Sequence, residues 1–231
     1  MPFSTELKSR SKQVLREFQA SDTFQGIFHS RTDPEFIRVV IRRVLFEVAT
    51  YGPFITSASF TAIGRLCHQW PRVEALAMHL SEEARHPQLA MDGFLLLGGD
   101  HDEAAECKLS PAAFAVAAVC EQCGRSGHPA GYLGFMYLME FTTITLATQA
   151  RKLLASANLQ ILHVDMHSKV DIEHVALLDT EINALVESLP ETRSAILDGF
   201  DRFAAVYPLP LWKFAYETAR GELECQRQPT A

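Results

Sequence analysis

Two segments of the chain carry the same arrangement of side chains able to bind metal. HLSEEARH at 79–86 holds His79, Glu83 and His86, and HSKVDIEH at 167–174 holds His167, Asp171 and His174. Both read H-x3-[E/D]-x2-H. On a helix turning roughly 100° per residue, offsets of 0, 4 and 7 fall within about 60° of one another, so each segment presents two imidazoles and a carboxylate on one stripe. Such nitrogen and oxygen donors suit Fe, Mn or Zn, and the carboxylates favour iron or manganese. A third feature points the same way. The run GYLGFMYLMEFTTITLATQA at 131–150 is apolar or small and uncharged except for Glu140 near its middle. A buried carboxylate without a partner is costly or takes up a proton. A cation between the stripes supplies the partner, with Glu140 placed to bridge two ions, which makes Glu140 the candidate catalytic residue as well as a ligand.

With nine His and 28 acidic residues in the chain, one such motif arises by chance on the order of a few times per hundred sequences, and a second copy beside a buried acid is rarer. Plainer readings exist for each part. Glu82 and Glu83 fit a solvated face beside Arg85, and an arginine such as Arg43 can neutralise Glu140. Pro87, directly after His86, lacks an N–H and predicts a kink at the first motif.

The elements that carry these residues read as helices throughout. The first 18 residues form an amphipathic helix. They lack the apolar core of a signal peptide, and Glu6 and Glu17 argue against a transit peptide. Asp33-Pro34-Glu35 opens a helix to about Tyr51, Pro53 interrupts it, and a shorter helix follows to about His68. Pro71 opens a long helical stretch to Leu97, ended by Gly98-Gly99. Ser110-Pro111 opens the next, closed by Gly124 and Gly127. Pro129 opens the helix of Glu140, which runs to about Ala157. Later helices cover about Met166 to Glu187, a segment capped by 188–191, and one after Pro208 and Pro210. The short run ILHV at 161–164 is the nearest thing to a strand. The expectation is an all-α single domain over residues 1–231.

Composition narrows the class. A hydrophobic content of 48% and a charged content of 21% are those of a globular chain with a sizeable core. A net charge of −7, without a Lys/Arg block, argues against a nucleic-acid partner. The 131–150 run is long enough to test as a membrane span, but Glu140, Tyr137, Thr142, Thr143, Thr145 and Thr148 make it a buried helix, with no membrane partner expected. Of five cysteines, Cys120 and Cys123 form a CxxC without the second ligand pair of a zinc site or the βαβ context of a redox motif, so reduced thiols and a cytoplasmic location are expected.

The His-Pro on an early helix, the mid-chain Glu140 and the H-x3-D-x2-H together resemble the haem-oxygenase-like dimetal oxidases, over roughly residues 35 to 215. The resemblance implies a haem-oxygenase-like helical bundle that holds two Fe(II) ions rather than haem and uses O2 as co-substrate. It implies that His86 and Glu140 serve one iron, that Glu140 or a neighbour bridges, and that His167, Asp171 and His174 serve the other. Many members place a glutamate seven residues before the first His, where this chain has His79; others place it three before, at Glu83. An imidazole at 79 in place of that carboxylate is expected to lower the negative charge of the site and so raise the iron potential. The family acts on fatty acids, amino acids and amines. Compact length and ligand set are most similar to its nitrile-forming branch, implying a small amino-acid-like substrate such as a tryptophan derivative cut down to an indole nitrile. The sequence does not identify the electron donor, and a homodimer fits an enzyme of this size. Residues one turn from Glu140, namely Met136, Tyr137, Thr143 and Ile144, are candidates for the pocket wall or for ordinary packing.

Three rivals remain. A ferritin-like diiron bundle can be drawn through Glu47, Glu83, His86, Glu140, Asp171 and His174. A metal-free relative of the thiamin-degrading enzymes needs Cys120 or Cys123 as nucleophile, with a depressed pKa. A non-enzymatic helical protein can use the same stripes as a structural or storage site.

Overall fold

The computed structural model describes residues 2–29 and 33–227. Among them the chain forms eleven α-helices and no strand: α1 (Phe3–Gln19), α2 (Asp22–Phe28), α3 (Pro34–Leu66), α4 (Glu74–Glu83), α5 (His86–Leu96), α6 (His101–Glu106), α7 (Pro111–Glu121), α8 (Gly131–Ser156), α9 (Leu162–Ser188), α10 (Thr192–Ala204) and α11 (Leu209–Arg227). A π-helical turn, Gln122–Ser126, extends α7. Side-chain caps start several of these helices. Ser21, Asp33, Asp100 and Ser110 accept hydrogen bonds from the backbone N–H groups of Phe24, Glu35, Glu103 and Ala113 at 3.2, 3.0, 2.8 and 3.0 Å. Two of the capped helices, α2 and α6, are too short to leave a periodic signature in the sequence.

Helix boundaries depart from the sequence reading at two prolines. Pro53 does not interrupt α3, which is continuous for 33 residues. Its ring lies on the exposed face and costs one backbone hydrogen bond, while the preceding Gly52 offers no side chain for the ring to clash with. Gly52 is also where α5 approaches: a Cβ there would sit 2.5 Å from Pro87 Cγ. The helical stretch expected from Pro71 to Leu97 is two helices, starting at Glu74 and broken at 84–85, with Pro87 in the first turn of α5. The ILHV run is no strand; it lies at the start of α9.

Helix α3 runs through the molecule and packs against α5, α7 and α11, while α8 packs against α9 and α10. Two apolar clusters result. One includes Leu66, Tyr132, Phe135, Phe200 and Phe203, and the other Phe18, Phe24, Phe46, Phe94 and Trp212. The aromatic pairs Phe46–Phe94 and Phe135–Phe203, with centroids 4.9 and 5.6 Å apart, add directional packing to burial. Arg43 is bound by Glu103 and Glu222, so it is not the partner of Glu140. No described helix is long and apolar enough to cross a membrane. The 131–150 run instead forms most of α8, whose first half is almost wholly buried.

Candidate metal centre

The end of α4, the start of α5, the middle of α8 and the first half of α9 converge on one place. His79, Glu83, His86, Glu140, His167, Asp171 and His174 are all buried there. Donor atoms of His79, Glu83, Glu140 and His174 lie within 4.8 Å of one another, and so do those of Glu83, His86 and His167. Glu83 is common to both clusters. Its Oε1 stands 3.3 Å from His174 Nδ1 and 3.9 Å from His79 Nε2, while its Oε2 stands 2.6 Å from His86 Nδ1. Glu140 presents Oε1 to His79 Nε2 at 3.1 Å and Oε2 to His174 Nδ1 at 3.4 Å.

This arrangement divides the residues differently from what the family resemblance implies. Each H-x3-[E/D]-x2-H segment gives one imidazole to each cluster: on α9 seven residues of helix separate His167 from His174 by roughly 10 Å of rise, and in the first segment the break between α4 and α5 separates His79 from His86. His174 therefore joins His79 and Glu140, and His167 joins His86. Glu83 spans the gap at the end of α4, where the helix breaks before α5, while Glu140, facing His79 and His174, lies in the first cluster alone. Asp171 belongs to neither. Its Oδ1 is 2.8 Å from His167 Nδ1, a contact that holds the ring and leaves Nε2 as the nitrogen available to a metal. The exposed Glu82 lies 3.4 Å from His174 Nε2 and orients that ring in the same way.

A metal fits what these residues leave undone. Glu83 Oε1, His86 Nδ1 and Asp171 Oδ2 are buried without a hydrogen-bond partner. The approach of His86 Nδ1 to Glu83 Oε2 is close yet misaligned for a hydrogen bond, so two donor atoms point into one space. Native interiors rarely leave such groups unsatisfied, and an ion is one of the few explanations for several together. Electrostatics agree. Burial pushes the Glu140 carboxyl up, but hydrogen bonds from His174 and His79 outweigh it and hold the group below the usual carboxylate range. Burial drives His174 down, yet Glu140 and Glu83 raise it to about 9. Asp171 is raised, by burial first and by the nearby Glu140 and Glu83 charges, despite its bond from His167. Without a cation, protons on His174 and His167 offset the charge of the buried acids; a bound metal displaces them.

A cavity of about 120 Å³ opens beside the centre, with Glu83, His86, Glu140 and His167 on its wall. Most of the remaining wall is apolar, including Ile41, Leu45, Met139, Leu146 and Trp212. Of the four residues near Glu140, Met136 and Thr143 line the cavity. Tyr137 instead donates to Asp179 at 2.9 Å, and Ile144 packs into the core. Tyr207 and His163 line it as well. Tyr207, in the loop before α11, leaves no signal in the sequence; His163 has one, its spacing of four residues before His167 on the same stripe of α9.

Two rival schemes lose their key residues. Glu47 is buried in a hydrogen bond with Ser110 and lies in neither cluster, and burial raises its pKa. Glu47→Ala is therefore expected to keep the iron content of the wild type, measured per chain after desalting; a lost iron would restore the ferritin-like scheme. Cys120 and Cys123 are buried and do not line the cavity. Burial raises both thiols, Cys123 to about 11, the opposite of an activated nucleophile.

Residues 59–207 match the profile of a family described as iron-containing redox enzymes, and the chain belongs to that family. The structure is similar to a crystal structure of a domain of unknown function with a haem oxygenase-like fold from Shewanella denitrificans OS217. The TM-score is 0.74 at 15% identity, over 98% of this chain and 96% of that one. The fold is haem-oxygenase-like and all-α. No curated protein matches the sequence.

Proposed function

We propose that this protein is an O2-dependent non-haem diiron oxidase acting on a small amino-acid-type substrate. The observation that carries the reading is Glu83, whose two oxygens face separate His/carboxylate clusters at the wall of an apolar cavity. His79, Glu83, Glu140 and His174 would hold one ion and Glu83, His86 and His167 the other, and manganese suits the same donors. Two ferrous ions, when bound, supply the electrons and oxidising power for O2 chemistry.

The chain's own residues do the rest. Asp171 keeps the His167 proton on Nδ1 and its ring in place. Apolar walls keep water from the centre and receive a hydrophobic side chain. Among the described residues no Lys or Arg lines the cavity, so a substrate carboxylate finds its counter-charge at the metal end. Its apolar part then lies along Met136, Met139 and Trp212. A tryptophan derivative fits that polarity, and its conversion to an indole nitrile by oxidative C–C/C–N chemistry is the outcome we favour.

Anaerobic Fe(II) titration of the iron-free protein, followed by O2 with and without L-tryptophan, tests the reading. Two irons per chain and O2 consumption accelerated by the amino acid are expected. Absence of stoichiometric iron binding would remove the diiron reading. Iron-dependent O2 uptake indifferent to L-tryptophan would keep the oxidase and discard this substrate class.

A further inference from the structure

His163 is a cavity residue for which the diiron reading has no use. It lies one turn before His167 on α9, 8% exposed. Its ring meets that of His167 edge to face at 4.5 Å between centroids, and that of His86 at 6.1 Å. Its Nδ1 is buried without a hydrogen-bond partner. In the neutral ring with its proton on Nε2, Nδ1 offers a lone pair.

The rest of the wall makes that lone pair conspicuous. Among cavity-lining residues, unpartnered buried polar atoms occur on Glu83, His86 and His163, and the first two belong to the metal clusters. Thr56 donates to Gly52 O, and Thr143 and Tyr207 bond each other. His163 is not a further ligand to the second ion. Nitrogens on one metal lie within about 4.2 Å of each other, twice a metal–nitrogen distance of about 2.1 Å. His163 falls outside the group of Glu83, His86 and His167, whose donor atoms lie within 4.8 Å. A buried acceptor left empty costs stability until something donates to it.

We propose that His163 Nδ1 accepts a hydrogen bond from the substrate. The site thereby selects an apolar molecule carrying one N–H or O–H donor over an isostere that lacks it. The inference rests on the oxidase reading only in taking this cavity as the substrate site.

The probes are indole and benzothiophene, of nearly the same shape, only the first with a donor. Calorimetric titration of the iron-loaded protein without O2 is expected to show indole binding about 10-fold tighter. The gap should close in His163→Phe and persist in part in His163→Gln, whose amide oxygen can accept, with iron content unchanged in both. Equal affinities in the wild type, no saturable binding of indole, or a gap that survives His163→Phe would each overturn the assignment. So would loss of an iron in both variants, which would make His163 a ligand. If the wild type binds no iron, the oxidase reading fails on its own, and the same comparison on the iron-free protein still decides the role of His163.

Discussion

Glu83→Gln is expected to empty both metal positions rather than one. The carboxylate is the only described donor common to the two clusters, with Oε1 toward His79 and His174 and Oε2 toward His86. A glutamine keeps its volume but replaces one oxygen with an NH2 that cannot bind a metal, and the remaining oxygen is neutral. Disturbing a group that merely orients a ligand costs roughly 10- to 100-fold in metal affinity, so losing a shared ligand should cost at least about 100-fold at each position. Iron after desalting should fall from two per chain to well under one. His86→Gln, confined to the second cluster, should leave one. Glu82→Gln, which alters an exposed group beside His174, should cost at most about 10-fold at the first position. The iron-free Glu83→Gln protein should melt within a few degrees of the iron-free wild type, because no packing is lost. One iron retained in Glu83→Gln would show that the clusters do not share this residue.

That all seven residues would meet was legible in the sequence, because helical periodicity turns offsets of 4 and 7 into a common face. Their division into two clusters was not. It depends on the break between α4 and α5, which puts Glu83 at a helix end with both oxygens free to face different ways. Pro87 announces a break there, but a proline does not say by what angle the chain turns. Pro53 shows the converse failure: the local rule predicts an interruption, and an exposed position preceded by glycine lets α3 continue. His163 was hidden because ILHV reads as a short apolar run, whose helix or strand character depends on what packs against it. Tyr207 enters the cavity through a contact with Thr143 across 64 residues of chain. Nothing local records such a contact.

The second large effect concerns the helix that carries Glu140. Gly134→Ala is expected to destabilise the protein by about 3 kcal/mol or more, beyond the usual range for an overpacked side chain. A Cβ at this position would lie 2.6 Å from Phe200 N and closer still to the Ile196 carbonyl oxygen. Across the same crossing, a Cβ on Gly199 would meet the backbone of Gly131. These neighbours are main-chain atoms of α8 and α10, so no rotamer change relieves the clash and one helix must move. The helix-propensity advantage of alanine, about 1 kcal/mol, offsets only part of that. Gly64 and Gly221 provide the contrast, since nothing lies within 4 Å of a Cβ at either. Alanine at those positions should stabilise by roughly 0.5–1 kcal/mol in urea unfolding of the iron-free protein. Because α8 holds Glu140 between His79 and His174, displacing it should weaken iron binding at the first cluster as well. A Gly134→Ala protein that unfolds like the wild type and keeps both irons would mean that α10 yields without cost. Glu140 would then owe its position to α9 and α4 alone.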